Sequence, residues 1–173
     1  GTFVGYGEDG FTPNEFDITE ALNVDGDNVL TVACYEYASA SWLEDQDFWR
    51  LHGLFRSVEL AAQPRVHVET VQIEADYNPS MAAGTLNATL QLRNANDAAT
   101  VKAKLRDANG TVVWESTQCA NETITLNSGA LKNIAPWSAE EPTLYELTVL
   151  VVGHDGPLVE KIVQRIGFRT FRI

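Results

Sequence analysis

In residues 85–92 (TLNATLQL), apolar and polar side chains alternate without a break. Leu86, Ala88, Leu90 and Leu92 share one phase, and Asn87, Thr89 and Gln91 share the other. A period of two sends successive side chains to opposite faces of a pleated strand, so the segment suits a half-buried sheet rather than a helix. Similar runs recur at residues 65–76, 100–106, 111–115, 123–126, 144–152 and 158–173. In the first of these, Val66 and Val68 fall in one phase but Val71 and Ile73 in the other, which predicts a bulge or a bend. Turn chemistry separates the runs: Asp107-Ala108-Asn109-Gly110 carries an Asn-Gly pair that tolerates positive φ, and His154-Asp155-Gly156-Pro157 plays the same part near the end. About seven strands at this turn spacing match an immunoglobulin-like β-sandwich over residues 65–173. The Cys…Trp…Cys spacing of antibody domains is absent, so the likeness is one of architecture.

Residues 1–62 are β-rich but incomplete. Strands are expected at residues 3–6, at 28–37 (NVLTVACYEY) and at 54–60, with a short helical turn capped by Asp17 or Thr19 and running to Leu22. Asp25-Gly26-Asp27-Asn28 reads as a turn. Three or four strands bury little apolar area, and their orphan edges would seek partners, including a second copy of the chain. The segment is therefore expected to be the tail of a larger β domain. Charge marks the same division: residues 1–64 hold twelve acids against two arginines, whereas residues 65–173 hold twelve acids against ten bases. The junction falls at Ala61-Ala62-Gln63-Pro64.

Hydrophobic residues at 45% and charged residues at 21% exclude a disordered chain. No apolar run approaches a membrane span, and a formal charge of −12 argues against a nucleic-acid partner. Two cysteines, Cys34 and Cys119, are too few for a disulfide framework or a four-thiolate zinc site. Cys34 lies in an apolar run, where a buried free thiol is the ordinary outcome. A cytoplasmic setting is expected, with export left open.

The densest chemical constellation is Trp42-Leu43-Glu44-Asp45-Gln46-Asp47-Phe48-Trp49-Arg50, followed by His52. Aromatic faces beside carboxylates suit sugars, and carboxylates also suit a hard cation with oxygen ligands. A solvated acidic turn, its aromatics packed inward and Arg50 paired locally, fits the same residues. Direct glycoside hydrolysis needs two carboxyls with pKa values pushed apart, and a hydrophilic loop supplies no evident desolvation to do so. No serine elbow, Walker loop or paired-histidine metal motif occurs, and Gly5-Tyr6-Gly7 is too short for a nucleotide fingerprint. The Asn-x-Thr triplets at Asn87, Asn109 and Asn121 are assigned no function.

Several of these stretches resemble family 2 glycoside hydrolases. Gly5-Tyr6-Gly7-Glu8-Asp9 with Pro13-Asn14-Glu15-Phe16-Asp17-Ile18 is similar to the late part of that family's sugar-binding jelly roll. The Asp45-Gln46-Asp47-Phe48-Trp49-Arg50 core resembles the long-chain β-galactosidases of the family, whereas its β-glucuronidases carry an Asn-Tyr-Ala-Gly-Ile type sequence there. Pro136-Trp137-Ser138 through Pro142-Thr143-Leu144-Tyr145 resembles the loop entering a late strand of the immunoglobulin-like domain. Residues 166–173 (IGFRTFRI) resemble the strand that leads into the catalytic barrel. Phe48 and Leu51 stand where Met is frequent, and His52 where a small residue is usual.

The resemblance implies a parent β-galactosidase of retaining mechanism, whose two catalytic glutamates lie on a (β/α)8 barrel beyond Ile173. It implies that Asp47 ligates sodium and helps hold the galactosyl group, and that the parent uses sodium, with magnesium as a second candidate. No cofactor is expected for this chain alone. Its partners would be the remaining domains of the same enzyme and, in the parent, a β-galactoside. Trp42, Phe48 and Trp49 could anchor Asp47 by packing, while Trp137 and Tyr145 are expected in the core and at a tyrosine corner. The rival reading is a free-standing carbohydrate-binding or adhesive β module.

Overall fold

The computed structural model describes residues 1–43 and 53–171 and divides into two compact units, Gly1–Leu60 and Ala61–Ile173. The second unit is a sandwich of two antiparallel sheets. One contains β1 (His67–Asn78), β2 (Ala83–Arg93) and β5 (Thr123–Lys132) in the order β1-β2-β5. The other contains β3 (Ala98–Arg106), β4 (Val112–Cys119), β6 (Tyr145–Gly153) and β7 (Leu158–Ile166) in the order β4-β3-β6-β7. All seven expected strands are present. The strand after β3 pairs back onto β3, giving three strands against four.

Alternation along β2 works as the sequence suggests. Leu86, Ala88, Leu90 and Leu92 are buried, and they meet Val101, Ala103 and Leu105 of β3 and Leu147, Val149 and Val151 of β6 in one continuous apolar cluster. Removing each such leucine from water contributes about 1.5–3 kcal/mol. Among the described residues no polar or charged residue is buried. The phase slip in β1 is a bulge: pairing with β2 shifts between Val68 and Thr70. At this irregularity the Glu160 carboxylate of β7 accepts the Val68 backbone N–H at 2.7 Å, tying the two sheets together at one rim.

The expected tyrosine corner forms. Tyr145 is buried, its hydroxyl accepts the Ala135 N–H at 2.9 Å, and its ring meets Phe168 edge-on at 5.2 Å. Both hairpin turns also form, with Gly110 and Gly156 at φ of 81° and 86°. In the first, Asp107 accepts the N–H groups of Asn109 and Thr111.

Two expectations for this unit change. The last strand ends at Ile166 instead of continuing to Ile173. Gly167 lies so close to Trp137 that an added Cβ would come within 2.8 Å of its side chain, and the chain then crosses to β1, where the Arg169 backbone N–H donates to the Ala75 carbonyl and the Thr170 hydroxyl lies 2.6 Å from both the Asp76 carboxylate and the Tyr77 carbonyl, with one proton to share between them. Trp137 is half-buried rather than in the core, its ring covered by the Arg169 guanidinium at 5.0 Å.

The first unit differs from its expectation. The described residues at 3–6, 28–37 and 54–60 join no ladder, and Phe3, Val29 and Leu60 are largely exposed. A strand needs a hydrogen-bonded neighbour as well as an apolar phase, and nothing described in this unit provides one. Cys34 is accordingly exposed rather than buried, and both cysteines are free. The short turn is present as a 3-10 turn, Thr19–Ala21, with the Asp17 carboxylate accepting the Thr19 N–H. The turn before Asn28 is closed by that residue's amide, bonded to both backbone groups of Asn23.

Candidate functional site

The acidic run is approached through the first unit. A 3-10 turn, Ser39–Trp42, leads into it, with the Ser41 hydroxyl accepting the Ala38 N–H at 2.9 Å. Glu44, Asp45, Asp47, Phe48, Trp49, Arg50 and His52 lie outside the described residues. Trp42 is 88% exposed, and Asp47, which it was expected to anchor, lies outside the described residues. On the far side, Gly53 has φ of 81°, a left-handed conformation that favours glycine.

Glu8 reaches the start of this turn from the opposite end of the unit. Its carboxylate accepts the hydroxyls of Tyr6 and Ser39. These donors hold the Glu8 carboxyl below its ordinary range, led by the Ser39 bond. The hydrogen bond to Glu8 in turn holds the Tyr6 phenol above its own. Beside them, Asp9 closes a separate turn by accepting the Thr12 hydroxyl and the N–H groups of Phe11 and Thr12, which lower its pKa.

Sequence reasoning missed Glu8 and Ser39. The trace it left was Gly5-Tyr6-Gly7, which has a steric rather than a nucleotide-binding meaning. An added Cβ would stand 2.0 Å from the Phe16 ring at Gly5 and 1.9 Å from the Asn14 amide oxygen at Gly7. Glycine at both positions lets residues 5–7 lie against residues 14–16, with Tyr6 between them presenting its hydroxyl to Glu8.

The second unit offers two shallow depressions. A groove of about 390 Å³ runs between the β1 and β7 edges, lined by Val71, Ile73 and Ala75 with Gln164, Arg165 and Ile166. A cleft of about 230 Å³ lies at Trp137, Leu144, Gly167 and Arg169. Neither is lined by a carboxylate, so neither brings together the acid pair that glycoside hydrolysis uses. Among the described residues no group of three or more His, Cys, Asp or Glu side chains is placed to hold a metal ion. None of their helices is long and apolar enough to cross a membrane.

Residues 66–169 match the profile of Glycosyl hydrolases family 2, and residues 1–64 match that of the Glycosyl hydrolases family 2 sugar binding domain. The chain belongs to glycosyl hydrolase family 2. It is 66% identical to "Beta-galactosidase BgaC" of Bifidobacterium adolescentis, over all of this chain and 18% of that protein. It is 47% identical to a β-galactosidase of Streptococcus thermophilus, over all of this chain and 17% of that one. The chain thus spans less than one-fifth of these curated relatives. Among solved structures, apo β-glucuronidase 3 of Bacteroides uniformis superposes with a TM-score of 0.64 at 25% identity, covering 73% of this chain and 16% of that one. A Ruminococcus gnavus β-glucuronidase in complex with D-glucuronic acid gives 0.50 at 19% identity, covering 63% and 17%, a likeness of fold alone. The family assignment and the all-β reading of the sequence both stand.

Proposed function

We propose that this chain serves, within a retaining β-galactosidase, as a non-catalytic β-built support for the barrel that cleaves terminal β-D-galactosides. It comprises the end of the sugar-binding jelly roll and the immunoglobulin-like domain. It lends one carboxylate, Asp47, to a galactose and sodium site completed by the remaining domains. The catalytic glutamates belong to those domains, and the chain alone turns over no substrate. The observation that carries this reading is the match of the entire chain to a β-galactosidase at 66% identity. It favours an enzyme segment over a free-standing carbohydrate-binding or adhesive module.

The physical role of Asp47 follows from carboxylate chemistry. A carboxylate suits a hard cation and accepts hydroxyl hydrogen bonds from a sugar. A cation held there would take its other ligands from elsewhere in the enzyme, and so would the sugar. Exposed apolar residues of the first unit, such as Phe3, Val29 and Tyr35, would find cover against those same domains.

The test has two arms. The chain alone, given a chromogenic β-galactoside, should release no more chromophore than buffer. In the longer enzyme carrying this segment, Asp47→Ala should lower kcat/KM about 100-fold or more, the scale of losing a placed charge at the reacting sugar. Turnover by the chain alone, or an Asp47→Ala enzyme as active as its parent, would contradict the reading.

A further inference from the structure

We propose that Asn109 is a site of spontaneous deamidation, and that the Asp107 turn closed around it sets how fast the reaction runs. This goes beyond the function proposed above and does not depend on it.

Asn109 is the one asparagine in the sequence that is followed by glycine. The reaction needs the backbone nitrogen of the next residue to reach the asparagine side-chain carbonyl, and a side chain on that residue crowds the approach. Gly110 has none, and a Cβ there would meet open space. Asn109 itself is exposed at the tip of the β3–β4 hairpin, and its side chain makes no hydrogen bond among the described residues, so the amide is free to turn toward Gly110. Other asparagines lack these conditions. Asn87 and Asn127 are bonded to each other through their side chains, Asn94 holds the Arg65 carbonyl, and Asn78 precedes Pro79, which has no N–H to give up.

The step balances with water and hydroxide as the only co-reactants. Hydroxide takes the Gly110 N–H proton and the nitrogen attacks Cγ of Asn109. The Cγ–Nδ2 bond breaks, and ammonia leaves with a proton taken from water. Water then opens the succinimide ring at either of its carbonyls. Breaking the bond to Cγ gives aspartate, and breaking the bond to the main-chain carbonyl gives isoaspartate, whose backbone is longer by a methylene. The net change is water in and ammonia out, with no oxidation or reduction.

The folded turn resists this reaction. The Gly110 N–H is occupied, donating to the Asp107 carbonyl at 3.0 Å. The Asp107 carboxylate fixes the backbone on both sides of it by accepting the N–H groups of Asn109 at 2.9 Å and Thr111 at 2.8 Å. The Arg106 guanidinium donates to the Gly110 carbonyl at 2.8 Å. Attack therefore requires the turn to open. Residues 108–112 are all exposed, so that opening is local and leaves the core intact.

The test uses the 173-residue chain, held at mildly alkaline pH and followed by peptide mapping with mass spectrometry. The mass change from amide to acid should arise at Asn109 before any other asparagine, with aspartate and isoaspartate forms separable by chromatography. Asp107→Ala should quicken the conversion about tenfold, and Asp107→Asn, which keeps an acceptor oxygen, should quicken it less. If Asp107→Ala fails to fold, Arg106→Ala, which releases only the Gly110 carbonyl, takes its place and should also quicken the conversion. Asn109 remaining intact while another asparagine converts would overturn the site. A rate at Asn109 unmoved by loosening the turn would overturn its control by Asp107.

Discussion

The two units hold themselves in opposite ways. Residues 61–171 bury an apolar cluster drawn from both sheets, and leave charged side chains on the outside in cross-strand pairs such as Lys104 with Glu115 at 3.2 Å. The described residues of 1–60 bury nothing and are organised by carboxylates and amides that grip backbone N–H groups. An apolar core is cooperative, because each side chain supports many others. Exposed polar clamps are local, and each can open without the rest. A sandwich with an apolar core and a unit whose described residues bury no side chain therefore share one chain.

The largest effect that would sharpen this contrast is a core truncation. Leu90→Ala removes a fully buried side chain of β2 and should destabilise the second unit by about 2–5 kcal/mol in chemical denaturation. Val29→Ala, at a residue 90% exposed, should change stability by less than about 0.5 kcal/mol. Equal effects would erase the distinction.

How much of this could be read from the sequence follows from the same contrast. The alternation in β2 and the phase slip in β1 are consequences of which residues face one core, and a core writes itself into local periodicity. The run NVLTVACYEY has an equally strong pattern, yet its described structure has no ladder and Cys34 is exposed. Periodicity reports which face seeks burial and is silent on whether a partner strand is present. Glu8 and Ser39 escaped notice for another reason: a hydrogen bond across 31 residues leaves no spacing signature. Trp137 was misplaced because an aromatic at a loop can be covered by one arginine instead of by the core. For the acidic run itself, the sequence motif remains the basis of the assignment.

A middle-sized effect probes the corner that ties β6 to the preceding loop. Tyr145→Phe keeps the ring against Phe168 but removes the acceptor for the Ala135 N–H, so a loss of about 1 kcal/mol is expected by thermal or chemical unfolding. No change would mean that the ring alone makes the corner.

The smallest effect is the pH response of the polar clamps. Hydrogen bonds lower the pKa of Glu8, Asp9 and Asp17, so the folded form binds protons less readily than the unfolded chain. Their contribution is present above the ordinary carboxylate range and is lost as pH falls through the lowered values. These groups are solvent-accessible, so the change should be slight and confined to the first unit. Carboxyl NMR titration should find all three midpoints below the ordinary range of their residue types. Midpoints within that ordinary range would remove the clamps from the account.

Residue-resolved amide hydrogen exchange on the 173-residue chain tests the division of labour most directly. Slow exchange with one shared opening free energy is predicted for β2, β3 and β6, together with fast exchange through residues 28–37. Protection across residues 28–37 matching that of β2 would contradict it, because the first unit would then possess a core of its own.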